Sequence, residues 1–214
     1  MTRTPLDLRL YLVTDTDMCG DHGLVRTVRE AVSGGVTVVQ LRDPDASDDE
    51  LVALGMLVRK GLEGTGIPLI VNDRVHLVKQ IGADGAHIGQ DDLPVPEARS
   101  ILGSSAYLGL SVHNHEQLMT ARENDWDLDY LGVGPVWRTT SKADAEAPIG
   151  VSGLKAVASD SPWPCVAIGG VNARRTGGLS ASGVAGVAVI SAICGQPDPE
   201  TAAFALRAAW EESP

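Results

Sequence analysis

The chain has 214 residues, 43% hydrophobic and 21% charged, with 24 Gly and 12 Pro, a globular composition that excludes a disordered, collagen-like or disulfide-scaffold protein. Its 17 basic and 28 acidic residues give a formal net charge of −11, and no basic cluster exceeds pairs such as Arg59-Lys60 and Arg174-Arg175, so neither nucleic acid nor an anionic membrane is an expected partner. Three cysteines without CxxC spacing (Cys19, Cys165, Cys194), no apolar run of membrane-spanning length and no signal-peptide pattern point to a reduced, cytoplasmic protein.

Short apolar runs rich in Val, Ile and Leu recur along the chain, each followed by a turn and an amphipathic stretch. Strands are predicted over residues 8–15, 36–42, 69–73, 85–89, 107–112, 130–136, 165–170 and 186–193. Several have no polar alternation, as parallel strands buried on both faces require. Helices are predicted between them, among others over 24–33, 48–62, 75–81, 115–124 and 200–210. Ser47 before Asp48-Asp49-Glu50 reads as an N-cap with acidic first-turn residues, which the helix dipole favours. Eight such units of about 27 residues fit a (β/α)8 TIM barrel, with residues 1–214 forming a single domain. The alternative, a doubly wound open sheet, calls for a glycine-rich first βα turn, and Thr16-Asp17-Met18-Cys19-Gly20 contains no GxGxxG.

In a barrel of this kind, chemistry belongs at the C-terminal strand ends. Those ends carry Asp15, Gln40 and Arg42, Asn72-Asp73, His87 to Asp92, Ser111, Gly134, Gly169-Gly170 and Ser191. Asp73 and Asp92 follow neighbouring strands, a suitable pair of hard oxygen ligands for Mg²⁺ completed by substrate phosphate and water. The competing reading gives Asp73 to Arg74 or to the start of the next helix. Gly169-Gly170 and Ile190-Ser191 occupy the seventh and eighth strand ends, where barrels often bind phosphate on exposed backbone N–H groups. The segment 137–150, with Lys142 near its middle, is the longest βα connection and reads as a binding loop or a solvated surface loop. His113-Asn114-His115 lacks metal-ligand spacing, and His87 reads as a buried structural imidazole.

The segments YLVTD (11–15), VVQLRD (38–43), PLIVNDRV (68–75), GADGAHIGQDDLP (82–94), LGLSVHN (108–114), DYLGVGPVWRTTSK (129–142), VAIGGVN (166–172) and VAVISAI (187–193) together resemble thiamine-phosphate synthases nearly end to end. The resemblance implies an enzyme that joins 4-amino-2-methyl-5-hydroxymethylpyrimidine diphosphate to 4-methyl-5-(2-hydroxyethyl)thiazole phosphate and releases pyrophosphate. It implies Mg²⁺ held by Asp73 and Asp92, and pyrimidine diphosphate bound by Gln40, Arg42, Asn72, Ser111 and Lys142. Arg42, Ser111 and Lys142 would act catalytically on the leaving diphosphate. Thr139, Thr140, Ser141, Gly170, Ile190 and Ser191 would hold the thiazole phosphate. The implied partners are thus small phosphorylated substrates, and a homo-oligomer is compatible with the sequence.

One departure stands out. The family's usual Q-x-R-x-K reads here Gln40-Leu41-Arg42-Asp43-Pro44, so a cation and a backbone N–H are missing at a leaving-group contact. Either the diphosphate is held less tightly, or a basic residue from elsewhere reaches the site. Two other functions remain as alternatives: a related barrel that tautomerises the thiazole phosphate, and a non-catalytic sensor of thiamine precursors.

Overall fold

In the computed structural model, which describes residues 3–141 and 146–212, eight short parallel strands close on themselves in chain order. They are β1 (Leu10–Val13), β2 (Val38–Leu41), β3 (Leu69–Asn72), β4 (Gly85–Ile88), β5 (Tyr107–Val112), β6 (Tyr130–Val133), β7 (Cys165–Ala167) and β8 (Gly186–Val189). Pairing of β1 with both β2 and β8 closes the ring, and every neighbouring pair is parallel. The helices between them are α1 (Thr16–Cys19), α2 (Leu24–Ser33), α3 (Asp48–Gly61), α4 (Val78–Ile81), α5 (Val95–Leu102), α6 (His115–Glu123), α7 (Gly150–Asp160), α8 (Ala173–Thr176) and α9 (Pro199–Glu211). The fold is the expected (β/α)8 barrel.

The strands form where they do because both of their faces are buried. Alternate residues, Leu12, Val39, Val71, Ile88, Leu110 and Leu131 among them, pack outward against the helices. Their neighbours Tyr11, Val13, Val38, Ile70, Tyr130, Val166 and Ala188 pack inward as a second, smaller core. Side chains on a strand change face at each step, so this division fixes which polar residues point into the barrel. Burying one such Leu, Ile or Val contributes about 1.5–3 kcal/mol.

Local signals fix the element ends. Ser47 caps α3 in a capping box: its Oγ accepts from the Glu50 N–H at 3.4 Å, and Glu50 Oε2 accepts from the Ser47 N–H at 2.8 Å. Asn114 and Asn172 cap α6 and α8, each side-chain oxygen accepting from the backbone N–H three residues on. At the N-terminal face, Asp84 Oδ2 and Asp129 Oδ2 accept from N–H groups at the starts of neighbouring strands, at Leu69 and Leu108, each at 2.8 Å. Arg3 bridges Asp127 and Asp129 across this face.

Several elements differ from the sequence reading, among them β1 (predicted over 8–15) and β6 (predicted over 130–136), which run only Leu10–Val13 and Tyr130–Val133. β7 ends at Ala167 and not at residue 170, because Gly169 and Gly170 take φ of 93° and 67°, which breaks the extended chain. β8 ends at Val189, and the Ile190 carbonyl then accepts from the N–H groups of Ile193 and Cys194, closing a helical turn in place of the predicted strand end. Ile190 and Ser191 therefore follow β8. The predicted helix over 75–81 begins as a 3-10 turn at Val75–Leu77 before α4. No helix among the described residues is long and apolar enough to cross a membrane.

Candidate active site

The inward parity of the strands assembles the top of the barrel interior. Two residues on from the inner-core residues Val38 and Ile70 stand Gln40 and Asn72; Ser111 follows Gly109 by the same step, and His87 pairs in register with Asn72. Gln40 is 4% exposed and His87 8% exposed, so polar side chains occupy the last inward layer where an ordinary core would hold aliphatic ones. Gln40 Nε2 donates to Tyr11 Oη at 2.9 Å, and the His87 ring lies within hydrogen-bond distance of Ser111 Oγ and Tyr130 Oη. The Asn72 amide makes no hydrogen bond among the described residues and is half-buried at the end of β3. Gln90 Nε2 donates to the Ser111 carbonyl at 2.6 Å, tying the β4 loop to β5.

Above this layer the loops present charge. Asp73 sits at the apex of a tight turn with φ of 57°, rare for a residue with a side chain. Its N–H donates to the His87 carbonyl at 2.8 Å, and its own carbonyl accepts from the Val75 N–H, so the turn is bolted to the end of β4. Strain of this kind concentrates at functional sites. Asp92, in the loop leaving β4, accepts from the Gly89 N–H through Oδ2 at 2.7 Å. The two carboxylates thus hang from adjacent strand ends. Arg42, at the end of β2, has its backbone clamped to Thr14 Oγ1. Its guanidinium has only a loose ion pair, 3.9 Å from Asp15, and donates no hydrogen bond among the described residues.

The competing assignment of Asp73 to Arg74 meets a different geometry. Arg74 reaches sideways to the loop after β2, with Nη1 3.3 Å from Asp48 Oδ1 and Nη2 3.4 Å from the Pro44 carbonyl, a long contact. A second cation therefore lies on the loop where the sequence lacks its lysine.

The opposite side of the rim is built from loops that approach one another closely. A Cβ on Gly170 would stand 2.8 Å from Trp137 Cβ and 2.9 Å from the Arg138 carbonyl, so only glycine lets the β6 and β7 loops touch there. The Trp137 N–H donates to the Gly169 carbonyl at 3.0 Å. Arg175 staples the same contact: Nη1 donates to the Gly170 carbonyl, and its guanidinium carbon lies 4.9 Å from the Trp137 ring centroid. Ser141 Oγ donates to Ser191 Oγ at 3.3 Å, and the Ser141 N–H donates to Thr139 Oγ1. Thr139, Ser141, Gly170 and Ser191 are thereby brought to one side of the mouth, with exposed Thr140 beside them.

A family model described as thiamine monophosphate synthase matches residues 10–193. The chain belongs to this family. It is 46% identical over 200 residues to the thiamine-phosphate synthase of Psychrobacter sp., covering 93% of each chain. It is 47% identical over 205 residues to that of Xanthobacter autotrophicus, covering 96% of each. Among solved structures, the thiamine phosphate pyrophosphorylase from Pyrococcus furiosus superposes with a TM-score of 0.86 at 33% identity, over 97% of each chain. A 3-hexulose-6-phosphate synthase superposes at 0.67 with 16% identity, covering 94% of this chain and 99% of that one, a likeness of fold alone.

Within this chain, the sequence-predicted residues fall into two neighbourhoods. Gln40, Arg42, Asn72, Asp73, Asp92 and Ser111 cluster at the ends of β2 to β5; Thr139 to Ser141, Gly170, Ile190 and Ser191 cluster at the ends of β6 to β8. Lys142 lies outside the described residues. His113 and His115 do not form a site: the first bonds the Gly134 carbonyl and the second Asp160. The three cysteines are buried and unbridged. A cavity of about 700 Å³ between Thr4, Thr37, Arg59, Ile67 and Tyr107 opens at the opposite, N-terminal face and touches none of these residues. Sequence reasoning missed Tyr11, Tyr130, Arg74 and Arg175. Strand parity was the available signal for the tyrosines, and nothing local marked the arginines.

Proposed function

We propose that the chain joins 4-amino-2-methyl-5-hydroxymethylpyrimidine diphosphate to 4-methyl-5-(2-hydroxyethyl)thiazole phosphate, giving thiamine phosphate and pyrophosphate. The observation that carries this reading is the division of one barrel mouth into two halves. One half offers carboxylates, a guanidinium free for hydrogen bonding and amides; the other offers hydroxyls and glycine-opened backbone.

In the reaction the C–O bond between the pyrimidinylmethyl carbon and the diphosphate breaks, and the electron pair leaves with pyrophosphate. The lone pair of the thiazole nitrogen forms the new C–N bond, so no proton need be taken from the nucleophile. Arg42 hydrogen-bonds the departing diphosphate, where charge-assisted donors act most strongly. Gln40, Asn72 and Ser111 orient the pyrimidine diphosphate. Thr139, Thr140, Ser141, Gly170, Ile190 and Ser191 fix the thiazole phosphate so that its nitrogen faces the reacting carbon. Holding two reactants in line is worth effective molarities of roughly 10⁵–10⁸ M.

Asp73 and Asp92 suit a divalent cation of the Mg²⁺ type: they are oxygen donors, they hang from adjacent strands, and Asp92 is pre-oriented by its bond from Gly89. Two carboxylates leave the remaining positions of such an ion to substrate oxygens and water. When bound there, Mg²⁺ supplies neutralising charge to the leaving pyrophosphate. Arg74, drawn to the Pro44 carbonyl, supplies the positive charge that Pro44 removed from this loop.

The tautomerase and sensor alternatives are not favoured, because synthase relatives match over nearly the whole chain. Mass spectrometry of a reaction containing both substrates and Mg²⁺ tests the assignment. Thiamine phosphate is the expected product; unchanged substrates, or an isomerised thiazole phosphate, would overturn it.

A further inference from the structure

Between Gln40 and Ser111 runs a continuous buried chain of hydrogen bonds. Gln40 Nε2 lies 2.9 Å from Tyr11 Oη, Tyr11 Oη 2.6 Å from Tyr130 Oη, Tyr130 Oη 3.1 Å from His87 Nδ1, and His87 Nε2 2.9 Å from Ser111 Oγ. It crosses the barrel interior from β2 to β5, and both tyrosines are within 1% of complete burial. The packing makes room for it at two glycines. A Cβ on Gly109 would collide with Tyr130 Cζ at 2.2 Å and His87 Nδ1 at 2.5 Å, and one on Gly132 would press on His87 Cε1 at 3.1 Å.

Such a chain has a direction. Each phenol carries one proton, and burial pushes both phenols above their ordinary pKa, so both remain O–H groups. Tyr11 accepts from the Gln40 amide, so its own proton goes to Tyr130. Tyr130 then donates to His87 Nδ1, which places the ring proton on Nε2, and Nε2 donates to Ser111 Oγ. The Ser111 proton is left to point toward the barrel mouth, and Gln40 is left showing Oε1 and one N–H. Reversing any link reverses all of them, because a buried donor facing a donor is a costly defect. The reversed chain turns the Gln40 amide over and leaves Ser111 able only to accept.

We propose that Tyr11, Tyr130 and His87 are positioning residues, a polarised relay that dictates which donors and acceptors Gln40 and Ser111 present to the pyrimidine diphosphate. The inference builds on the substrate assignment above and adds to it the origin of selectivity in that half of the mouth. The relay residues act through Gln40 and Ser111.

The test is a double-mutant cycle between Tyr130 and Gln40, which Tyr11 bridges, read as the calorimetric Kd for pyrimidine diphosphate with Mg²⁺. Tyr130→Phe removes the middle link at nearly constant volume. The expected result is a Kd raised about tenfold by Tyr130→Phe, with little further loss when it is added to Gln40→Ala, a strong departure from additivity. The KM for thiazole phosphate should change less than about twofold, since uncoupled sites behave independently. Additive losses, equal losses toward both substrates, or an unchanged Kd would each overturn the relay. If Tyr130→Phe does not fold, as judged by thermal melting, Tyr11→Phe cuts the same chain one link nearer Gln40 and is read identically. A wild-type protein that binds pyrimidine diphosphate without releasing pyrophosphate would refute the assigned reaction while leaving the cycle to decide the relay. Failure of the wild type to bind it would overturn both.

Discussion

Replacing Gly170 with alanine perturbs the closest approach in the mouth of the barrel. The backbone there has φ of 67°, and the new methyl would meet Trp137 Cβ at 2.8 Å, the Arg138 carbonyl at 2.9 Å and Arg175 Nη1 at 3.1 Å. Left-handed backbone costs an L-residue about 1–2 kcal/mol, and overpacking costs about 1–3 kcal/mol, so about 2–5 kcal/mol has to be absorbed. If the native geometry is kept, Tm falls by about 4–20 °C, at about 2–4 °C per kcal/mol for a domain of this size. If the loop yields, the contact between the β6 and β7 loops opens and thiazole phosphate loses its cradle, at about tenfold in KM per 1.4 kcal/mol. Thermal melting and steady-state kinetics on each substrate separate the two. The KM for pyrimidine diphosphate should hold, because that substrate occupies the other half of the mouth. Wild-type Tm together with wild-type KM for thiazole phosphate would refute this account of Gly170.

Asp92→Ala should lower the rate of pyrophosphate release by at least about 100-fold, as expected for lost electrostatic stabilisation of a leaving group; a rate within a factor of a few of wild type would remove Asp92 from the metal site. Arg74→Ala should raise the KM for pyrimidine diphosphate about tenfold or more, the cost of a charge-assisted contact, and Pro44→Lys in that background should recover most of it; no recovery would mean that the two positions do not serve one charge. The Asp127 carboxyl is held below its ordinary pKa chiefly by its hydrogen bond from Arg3. A lowered native pKa means that the stabilisation is complete above the unfolded value of about 3.9 and is lost as pH falls through the native value. Asp127→Asn should therefore cost less than about 1 kcal/mol at pH 7, the carboxylate being half-exposed, and its melting curve should converge with wild type in acid; a gap that widens in acid would reverse the assignment.

Much of the fold was legible because the strands are mostly apolar and lack polar alternation. LYLV, VVQL and LIVN admit few environments other than a parallel sheet covered on both faces. The strand ends were less so. Glycines at 169 and 170 can extend a strand or break it, and only the positive φ values decide. Val95–Leu102 and Gly150–Asp160 were not among the named helices: prolines at 94 and 96 and glycines at 150 and 153 mask their periodicity, although proline in a first turn is itself a start signal. The candidate site was legible as a rim of polar strand ends, since parity alone puts Gln40, Asn72 and Ser111 inside. The reach of Arg74 to Pro44 and the link from Tyr11 to His87 were not, because the first joins two loops and the second joins residues of three strands, and no local pattern encodes how these meet.

The central claim is that the two halves of the mouth act together on two substrates. Pyrophosphate release by the purified protein, followed with each substrate alone and with both, in Mg²⁺ and then with chelator, tests it most directly. The account predicts release only when both substrates and the metal are present, in step with thiamine phosphate. Release that ignores the thiazole phosphate, or none although both substrates bind, would contradict it.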